Sequence, residues 1–392
     1  MSDTKLSKRG QFFDYSTLII VLVLMAFGLV MVYSTSSFSA LKNNLDSAHY
    51  FKKQLFATVL GIGCMTVASF IDYKKWKDLS PIIYFAALLT IFLVIPFGKE
   101  LNGAKRWIYI GKLSFQPAEF VKLALIILLA AFATYSGKYM AKLKNSIYFI
   151  LAGGVPAVLI LVITKNLSTA VILAGITYLM LIISNPRPKW IYVLSVIGGI
   201  GIIVFLVLFF KSVESGTGLG FRFRRLLAWK DPVNYHSQEG YQTLQALYAI
   251  GSGGFFGKGL GQSVQKMGFI PEAQNDMIFS VICEELGLFG GICLIVLFIL
   301  LIYRMMVIAN NAPDLFGSLI VSGVMVHIAI QVILNIAVVT NMVPNTGVSL
   351  PFISYGGTSV MFLMAEMGLV LNVSRQIRVP VTDAPKRKDG NR

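Results

Sequence analysis

Charged residues are scarce in this chain of 392 residues. Only 13% of residues are Asp, Glu, Lys or Arg, whereas a soluble domain carries about 25%. Hydrophobic residues make up 56% of the chain. Acidic residues are the rarer charged class, because 18 of them stand against 34 Lys and Arg. This composition is that of a membrane protein and excludes an ordinary soluble enzyme.

Cysteine is also rare. The three cysteines, Cys64, Cys283 and Cys293, fall inside long apolar runs and lack the spacing of metal ligands. We therefore interpret them as small apolar residues buried in the protein. The lysine pattern of a Walker motif is absent as well, which excludes a nucleotide site of the P-loop type.

Long apolar runs recur along the whole chain, each close to the roughly 20 residues that an α-helix needs to cross a bilayer. They leave no room for a soluble domain with its own core. The sequence therefore predicts an all-α polytopic membrane protein with about ten transmembrane helices. The predicted spans are 16–36, 54–71, 80–97, 117–135, 146–164, 168–184, 190–210, 276–303, 315–340 and 352–374.

The positions of Lys and Arg predict the orientation, because short cytoplasmic loops carry an excess of these residues. With the N-terminus inside, the cytoplasm receives the basic segments 5–9, 74–77, 138–144, 187–189 and 379–392. One long connection, residues 211–275 between the seventh and eighth spans, then lies outside the cell membrane. We expect residues 1–378 to form a single transmembrane domain and residues 379–392 a basic cytoplasmic tail.

The outer connection contains cations that alternate with apolar residues in "FRFRRLLAWKDP", residues 221–232. This pattern is typical of an element in the headgroup layer that presents guanidinium groups to phosphate. Arg222, Arg224 and Arg225 are therefore candidate substrate-binding residues, and simple attraction to anionic lipid is the alternative. A short amphipathic helix and a glycine-rich loop follow at residues 240–266.

Four acidic residues lie in one short stretch, "IPEAQNDMIFSVICEELG" at residues 270–287. We predict that Asn275 caps the eighth helix and that Asp276 lies in its first turn, at the outer surface. The helix dipole and nearby arginines favour the carboxylate, whereas partial burial raises its pKa towards that of a general base. Glu284 and Glu285 lie two turns deeper, where structural pairing between helices is the simplest role, although the sequence identifies no cation for them.

A second charged pair opens the fourth span in "SFQPAEFVKLA", residues 114–124. Glu119 and Lys122 are neighbours on one helix face, because they are three residues apart. They can neutralise each other. Two roles are open, a structural ion pair and the positioning of the substrate or of the catalytic carboxylate.

Six separated motifs, in order along the chain, together resemble one family. They are "NGAKRWI" (102–108), "QPAEFVK" (116–122), "GYQTLQALYAIGSGGFFGKGLGQSVQK" (240–266), "PEAQNDMIF" (271–279), "EELG" (284–287) and "PNTGVSLPFISYGGTS" (344–359). The resemblance, from about residue 16 to 378, is to the SEDS family (shape, elongation, division and sporulation). It is closest to the FtsW branch, because "GKGLGQSVQK" lacks the tryptophan typical of the RodA branch.

The resemblance implies a polytopic glycosyltransferase that polymerises lipid II into peptidoglycan strands outside the cytoplasmic membrane. It also implies a class B penicillin-binding transpeptidase and other division proteins as partners, and no nucleic acid. Asp276 matches the essential acid of the family, and Glu119 and Lys122 match its intramembrane ion pair near the substrate cavity. The three arginines of residues 221–232 fall in its loop of functional basic residues.

The sequence departs from the family at "TKNLSTA", residues 164–170. The family commonly reads Gln-Pro-Asp-Leu-Gly-Thr here, so Asn166 replaces an acid and Ser168 replaces a glycine. We therefore expect no acidic or metal-binding role at this position.

The chemistry requires a base and a source of positive charge. A GlcNAc 4-hydroxyl attacks the MurNAc anomeric carbon of a second lipid II and expels undecaprenyl diphosphate. Asp276 would accept the proton as the catalytic base. The arginines, or a divalent cation such as Mg²⁺ or Mn²⁺, would stabilise the leaving diphosphate, and the sequence identifies no metal ligands or certain cofactor.

Two other functions are compatible with many spans. A lipid II flippase would concentrate its polar residues near the membrane midplane on broken helices, whereas most of the informative residues here belong to the outer face. A non-catalytic scaffold for division proteins would leave Asp276 and the arginines unexplained. The glycosyltransferase is therefore the favoured function.

Overall fold

The computed structural model describes residues 10–11, 13–101, 104–110, 113–185, 191–193, 195–196, 200, 221–234 and 240–379. Nine helices in these residues are long and apolar enough to cross a membrane. They are α1 (Tyr15–Lys42), α2 (His49–Phe70), α3 (Lys74–Phe97), α4 (Pro117–Ser136), α5 (Leu143–Ile163), α6 (Leu167–Ser184), α9 (Ile278–Asn310), α10 (Leu315–Val339) and α11 (Gly357–Arg375). Two shorter helices, α7 (Phe221–Lys230) and α8 (Gly240–Gly253), precede α9. The all-α polytopic class is confirmed.

Nine of the predicted spans correspond to observed helices with shifted ends. Most of the span predicted at 190–210 falls outside the described residues, so a tenth helix stays a prediction. The helices α2 and α3 begin at His49 and Lys74, earlier than the predicted starts at 54 and 80. Polar residues at the membrane surface continue each helix beyond its apolar run, and hydropathy detects the run alone.

Side-chain caps fix the starts of three membrane helices, because each supplies an acceptor for an otherwise unpaired N–H group. Asp14 accepts from the Thr17 N–H of α1 at 3.1 Å, and Asp314 accepts from the Gly317 N–H of α10 at 2.8 Å. Asn166 accepts from a backbone N–H of α6 at 3.2 Å. Asn166, which replaces an acid of the family motif, is thus a helix cap.

The core of the bundle lies among α4, α10 and α11. In their apolar windows 61%, 67% and 72% of the residues are buried, respectively. Gly323 of α10 permits close packing, since a Cβ added there would lie 2.6 Å from Cγ2 of Ile126 in α4. Large apolar side chains cover the outward faces of the peripheral helices, as with Val162, which is 69% exposed. Such faces suit acyl chains and leave the polar contacts for the interior.

Both described ends of the chain lie at the same end of the bundle. The strand β1 (Gly10–Gln11) pairs antiparallel with β5 (Arg378–Val379). Close by, Arg304 of α9 donates to Asp14 at 2.9 Å. Tyr73, just before α3, donates to Asp314 at 2.8 Å. We call this region the terminal end.

The opposite end carries a small antiparallel sheet that the sequence interpretation did not include. Its strands are β2 (Gly98–Leu101), β3 (Ala104–Ile110) and β4 (Leu113–Phe115), in the order β2-β3-β4. Arg106 of β3 donates to the carbonyls of Thr164 and Lys165 at 3.3 and 3.1 Å. The sheet is thereby attached to the connection between α5 and α6.

The cysteines are more exposed than predicted. Cys283 is buried, Cys64 is half-buried and Cys293 is exposed, and all three are free thiols. The expectation of burial is therefore wrong for Cys293. A small apolar side chain on the outside of a membrane helix meets lipid rather than water, so its exposure there carries little penalty.

Candidate active site

Asp276 lies in a turn directly before α9, and the predicted position in the first helical turn is wrong. The helix begins at Ile278, and Met277 occupies the N-cap position without a side-chain cap. The predicted cap, Asn275, donates from Nδ2 to the Glu272 carboxylate at 2.8 Å. Its backbone N–H also donates to the Glu272 carbonyl, at 2.9 Å. Asn275 thus belongs to the preceding turn, two residues before the N-cap position at Met277, and does not cap the helix.

The Asp276 carboxylate is half-buried between α8 and the segment that follows α10. Gln242 of α8 donates from Nε2 to Asp276 Oδ1 at 3.4 Å. The same amide accepts from Asn345 Nδ2 at 3.1 Å. Gly347 lies against the carboxylate, because a Cβ added there would be 3.5 Å from Asp276 Oδ2. Three segments that are distant in sequence therefore meet at this carboxylate.

The backbone at Asp276 is held by a side chain of α10. Asn335 is fully buried. Its Nδ2 donates to the carbonyls of Asp276 and Val348, at 2.7 Å each. One amide therefore fastens the Asp276 turn to the segment after α10. Sequence reasoning missed Asn335, although a polar amide within the apolar run of a membrane helix is a signal for a functional position.

The segment from residue 344 to 357, which contains the motif "PNTGVSLPFISYGG", covers the same region. The Tyr355 N–H donates to the Gln274 carbonyl at 2.9 Å. Gln54 of α2 accepts from the Gly356 N–H at 3.1 Å. Burial raises the pKa of the Tyr355 phenol above its ordinary value, so this group is neutral at physiological pH. The motif thus forms a fixed wall beside Asp276.

Glu119 and Lys122 form the predicted ion pair, with 2.9 Å between Lys122 Nζ and Glu119 Oε2. The two residues are only 6% and 1% exposed, respectively. Ser359 of α11 donates to the same Glu119 oxygen at 3.2 Å. The pair therefore joins the start of α4 to the start of α11, directly after the segment that covers Asp276. Its part in substrate binding stays a prediction.

Arg222, Arg224 and Arg225 lie in α7, and their side chains are outside the described residues. The helix itself is anchored through Trp229, whose Nε1 donates to the Asn341 carbonyl at 3.1 Å. Asn341 Nδ2 donates back to the Trp229 carbonyl at 3.3 Å. Because Asn341 follows α10 directly, α7 is attached at the same end of the bundle as Asp276, which we call the Asp276 end.

Glu284 and Glu285 pair with lysines of the glycine-rich loop. Glu284 contacts Lys258 and Glu285 contacts Lys266, each with 2.6 Å between nitrogen and oxygen. Both glutamates are fully buried. Ser34 of α1 also donates to Glu285, at 2.7 Å. These carboxylates serve structural pairing, but their cations belong to a loop and not to a neighbouring helix as predicted.

The glycine-rich loop docks onto a break in α9. At Gly287 the backbone leaves the helical conformation, with φ 70° and ψ −172°. The N–H groups of Lys258 and Gly259 donate to the carbonyls of the two paired glutamates at 3.0 and 2.9 Å. After the break, the N–H groups of Leu288 and Phe289 donate to loop carbonyls at 2.9 and 3.1 Å. The glycines of the loop therefore allow its backbone to pack closely against the backbone of α9.

The described residues contain no preformed cluster of ligands for a divalent cation, because no three His, Cys, Asp or Glu side chains converge in them. Magnesium often binds through one or two carboxylates together with substrate phosphates. The carboxylate donor at Asp276 fits such a shared site. Its use of Mg²⁺ or Mn²⁺ stays a prediction.

Another buried pair was missed in the sequence. His327 of α10 and Glu366 of α11 are each 1% exposed. Their Nδ1 and Oε2 atoms are 2.8 Å apart. Ionisable residues within two apolar helices are themselves a sequence signal for a buried partner.

Comparison with known proteins assigns the family. Residues 15–379 match the family model of FtsW, RodA and SpoVE, described as "Cell cycle protein". The chain belongs to this family. Within the FtsW, RodA and SpoVE family it is 38% identical to stage V sporulation protein E of Bacillus subtilis, covering 93% of this chain and 98% of that protein. It is 37% identical to the probable peptidoglycan glycosyltransferase FtsW of Trichlorobacter lovleyi, covering 94% and 95%.

Two solved structures of this family share the fold. A chain of the complex described as "Structural coordination of polymerization and crosslinking by a peptidoglycan synthase complex" has a TM-score of 0.74 and 27% identity, with 93% of this chain and 98% of that chain covered. The rod shape determining protein RodA of Thermus thermophilus has a TM-score of 0.65 and 27% identity, with 93% and 97% covered. The family expected from the six motifs is confirmed.

Proposed function

We propose that the chain is a peptidoglycan glycosyltransferase that polymerises lipid II into glycan strands at the outer face of the cytoplasmic membrane, in septal wall synthesis during cell division. The observation that carries the proposal is the Asp276 carboxylate. It lies at one end of a membrane bundle, with its backbone fixed by Asn335 and its Oδ1 bound by Gln242. The relatives named peptidoglycan glycosyltransferase support the reaction class.

Asp276 is the general base of the proposed reaction. The GlcNAc 4-hydroxyl is a weak nucleophile near neutral pH, and a positioned carboxylate that accepts its proton contributes about 10² to 10⁴ in rate. The new bond forms between this oxygen and the anomeric carbon of the second lipid II, while the bond from that carbon to the diphosphate oxygen breaks. The proton passes to Asp276 Oδ1 or Oδ2 and then to water.

The leaving diphosphate receives positive charge from α7. Within about one turn of this helix lie three arginines, Arg222, Arg224 and Arg225. Each guanidinium group can donate two parallel hydrogen bonds to the oxygens of one phosphate. The contact between Trp229 and Asn341 supports this role, since it attaches α7 beside the Asp276 end. A divalent cation held by Asp276 and the diphosphate would supply further charge stabilisation when bound.

The ion pair of Glu119 and Lys122 positions the start of α11 in the proposed enzyme. Its contact with Ser359 supports this role, because the pair then stabilises the end of the segment that covers Asp276. A lipid substrate at Asp276 would contact that segment, so the buried pair would act on the substrate through it. We assign both residues to substrate binding.

The Asp276 end faces the cell exterior in the proposed orientation, and both termini are cytoplasmic. The pairing of β1 with β5 supports a common side for the two termini. The excess of Lys and Arg in the segments at the terminal end favours the cytoplasm for that side. The tail 380–392 lies outside the described residues.

A class B penicillin-binding transpeptidase is the proposed partner. The likeness to a chain of a solved peptidoglycan synthase complex that couples polymerisation to crosslinking supports this assignment. The outward faces of the bundle offer many exposed apolar side chains, which suit the membrane helix of such a partner. Other division proteins are expected to join the same assembly.

An experiment in detergent micelles separates the enzyme from a lipid II flippase. Micelles have no two compartments, so a flippase has no measurable activity in them, whereas a glycosyltransferase joins labelled lipid II into strands. We expect strands from the purified chain with its cognate transpeptidase, and none from the transpeptidase alone. The proposal is wrong if the pair makes no polymer while the same chain moves lipid II across liposomes.

A further inference from the structure

A cleft of about 670 Å³ opens at the terminal end of the bundle, between the end of α4 and the start of α5. The side chains that matter here are four aromatic rings and two lysines: Phe132, Tyr135, Tyr139, Tyr148, Lys142 and Lys144. None of the described residues that line the cleft is acidic. Neither the proposed reaction nor the family motifs involve this cleft.

Cation–π contacts place ammonium groups around the cleft. Lys142 Nζ lies 4.6 Å from the centroid of the Tyr139 ring, and Lys144 Nζ lies 5.9 Å from that of Tyr148. Such contacts hold a cation over a ring without neutralising its charge. The positive charge of both lysines therefore remains available to an anion in the cleft.

The nearby acidic residue is already engaged. The Tyr135 hydroxyl donates to Asp78 Oδ1 at 2.8 Å. Lys77, the residue before Asp78, lies with Nζ 4.2 Å from the centroid of the Tyr135 ring. One carboxylate and one further ammonium group therefore lie beside Tyr135, and Lys142 and Lys144 leave the cleft with a positive balance.

The cleft lies at the level where lipid headgroups meet the protein. Tyr135 and Tyr139 are 63% and 62% exposed, and exposed tyrosines are typical of the membrane–water interface. Phe132 lies about one turn deeper along α4 than Tyr135. The cleft therefore combines ammonium and hydroxyl groups at its mouth with an apolar floor.

We propose that this cleft binds the headgroup of an anionic phospholipid of the adjoining leaflet. Lys142 and Lys144 bind its phosphodiester, and the rings pack against the glycerol and the first methylenes of the acyl chains. Basic pockets between membrane helices bind such headgroups in other proteins. The inference goes beyond the proposed function and does not depend on it.

Native mass spectrometry of the full-length chain tests the proposal. The protein is purified in detergent, titrated with dioleoyl phosphatidylglycerol or dioleoyl phosphatidylcholine, and the lipid retained per chain is counted. We expect saturable retention of phosphatidylglycerol and little retention of phosphatidylcholine. Lys142→Gln with Lys144→Gln should weaken phosphatidylglycerol binding about 25-fold, on the order of fivefold per lysine.

The matched control is Lys74→Gln with Lys75→Gln, which removes two exposed lysines from the terminal end but not from the cleft. This variant should retain phosphatidylglycerol like the wild type. Equal weakening in both double variants, or in neither, would show that the cleft binds no specific lipid. Displacement of the lipid by equimolar inorganic phosphate or by polyglutamate would assign the cleft to a soluble anion or an acidic protein segment, and would also overturn the proposal.

Discussion

Asn335 supports the proposed base from a neighbouring helix. Its Nδ2 donates to the carbonyls of Asp276 and Val348. Leu has nearly the same shape but no donor, so Asn335→Leu leaves both carbonyls without this partner. A buried group that loses its partner costs about 1 to 3 kcal/mol. A displacement of about 1 Å in a reacting group can cost about 100-fold in rate. We predict that Asn335→Leu lowers kcat of polymerisation by up to about 100-fold, with a smaller change in KM.

The control for Asn335→Leu is a second buried asparagine at the opposite end. Asn372 accepts from the Tyr73 N–H at 2.9 Å and donates to the Ser69 carbonyl at 2.6 Å. Asn372→Leu should lower thermal stability to a similar degree while the folded fraction keeps its kcat. Equal kcat in both variants would show that Asn335 does not position Asp276.

The buried pair of His327 and Glu366 predicts a strong energetic coupling. Removing one member of a buried, hydrogen-bonded pair costs about 1 to 3 kcal/mol, because the other is left buried without its partner. Replacing both members by apolar residues of similar volume is often nearly neutral. We expect Glu366→Leu to reduce the free energy of unfolding more than His327→Leu combined with Glu366→Leu does. Unfolding of the two single variants, His327→Leu and Glu366→Leu, and of the double variant is measured in mixed micelles. Additive effects of the two single substitutions would show that the pair is not coupled.

At the scale of elements, the glycine-rich loop stabilises the broken helix α9. Gly257 has φ +81°, and a Cβ added there would overlap the Glu285 carbonyl oxygen. We predict that Gly257→Ala releases the loop from α9 and increases the rate of proteolytic cleavage between residues 254 and 270. The loss of the ion pairs Lys258–Glu284 and Lys266–Glu285 should also lower the thermal stability by several degrees.

Gly261 provides the matched control for Gly257→Ala. It has nearly the same φ, +82°, but a Cβ added there would meet no atom within 4 Å. Gly261→Ala carries the same backbone strain without the overlap, so it should stay resistant to cleavage. If both variants were cleaved equally fast, strain alone would explain the effect and the close approach would be irrelevant.

Local sequence patterns predict some elements and contacts of this structure but not others. The nine observed spans follow from long apolar runs, and the pairing of Glu119 with Lys122 follows from their spacing on one helix. The cations of Glu284 and Glu285 come from an earlier loop that folds back onto α9, which no periodicity reveals. The Asn-Gly pair at 102–103 is a hairpin signal that hydropathy obscured.

At the candidate site, too, the sequence predicted some features of the Asp276 turn and not others. The acid itself was identifiable, because it stands in an acid-rich stretch at the edge of a span. Its position relative to the helix start was not, because residues 271–277 form turns that continue to Met277, and the helix begins only at Ile278. Gln242 and Asn335 reach Asp276 from α8 and α10, and such long-range contacts depend on how the helices pack.

For the whole molecule, the orientation is tested by labelling with an impermeant thiol reagent on intact cells. Single cysteines are introduced at Gln262 and Asn311, both exposed, in a variant without the three native cysteines. We expect labelling at Gln262, near the Asp276 end, and none at Asn311 until the cells are permeabilised. The reverse pattern would place Asp276 in the cytoplasm, where the proposed reaction has no role.

The central claim, that Asp276 is the base of a glycosyltransferase, is tested most directly by Asp276→Asn. Glu272→Gln is the matched control, because Glu272 is an exposed acid of the same turn. The measurement is the rate of lipid II polymerisation by the purified chain with its transpeptidase, at equal amounts of folded complex. We predict that Asp276→Asn lowers this rate by about 10² to 10⁴, whereas Glu272→Gln keeps it within about twofold of the wild type. Polymerisation by Asp276→Asn at the wild-type rate would contradict the claim.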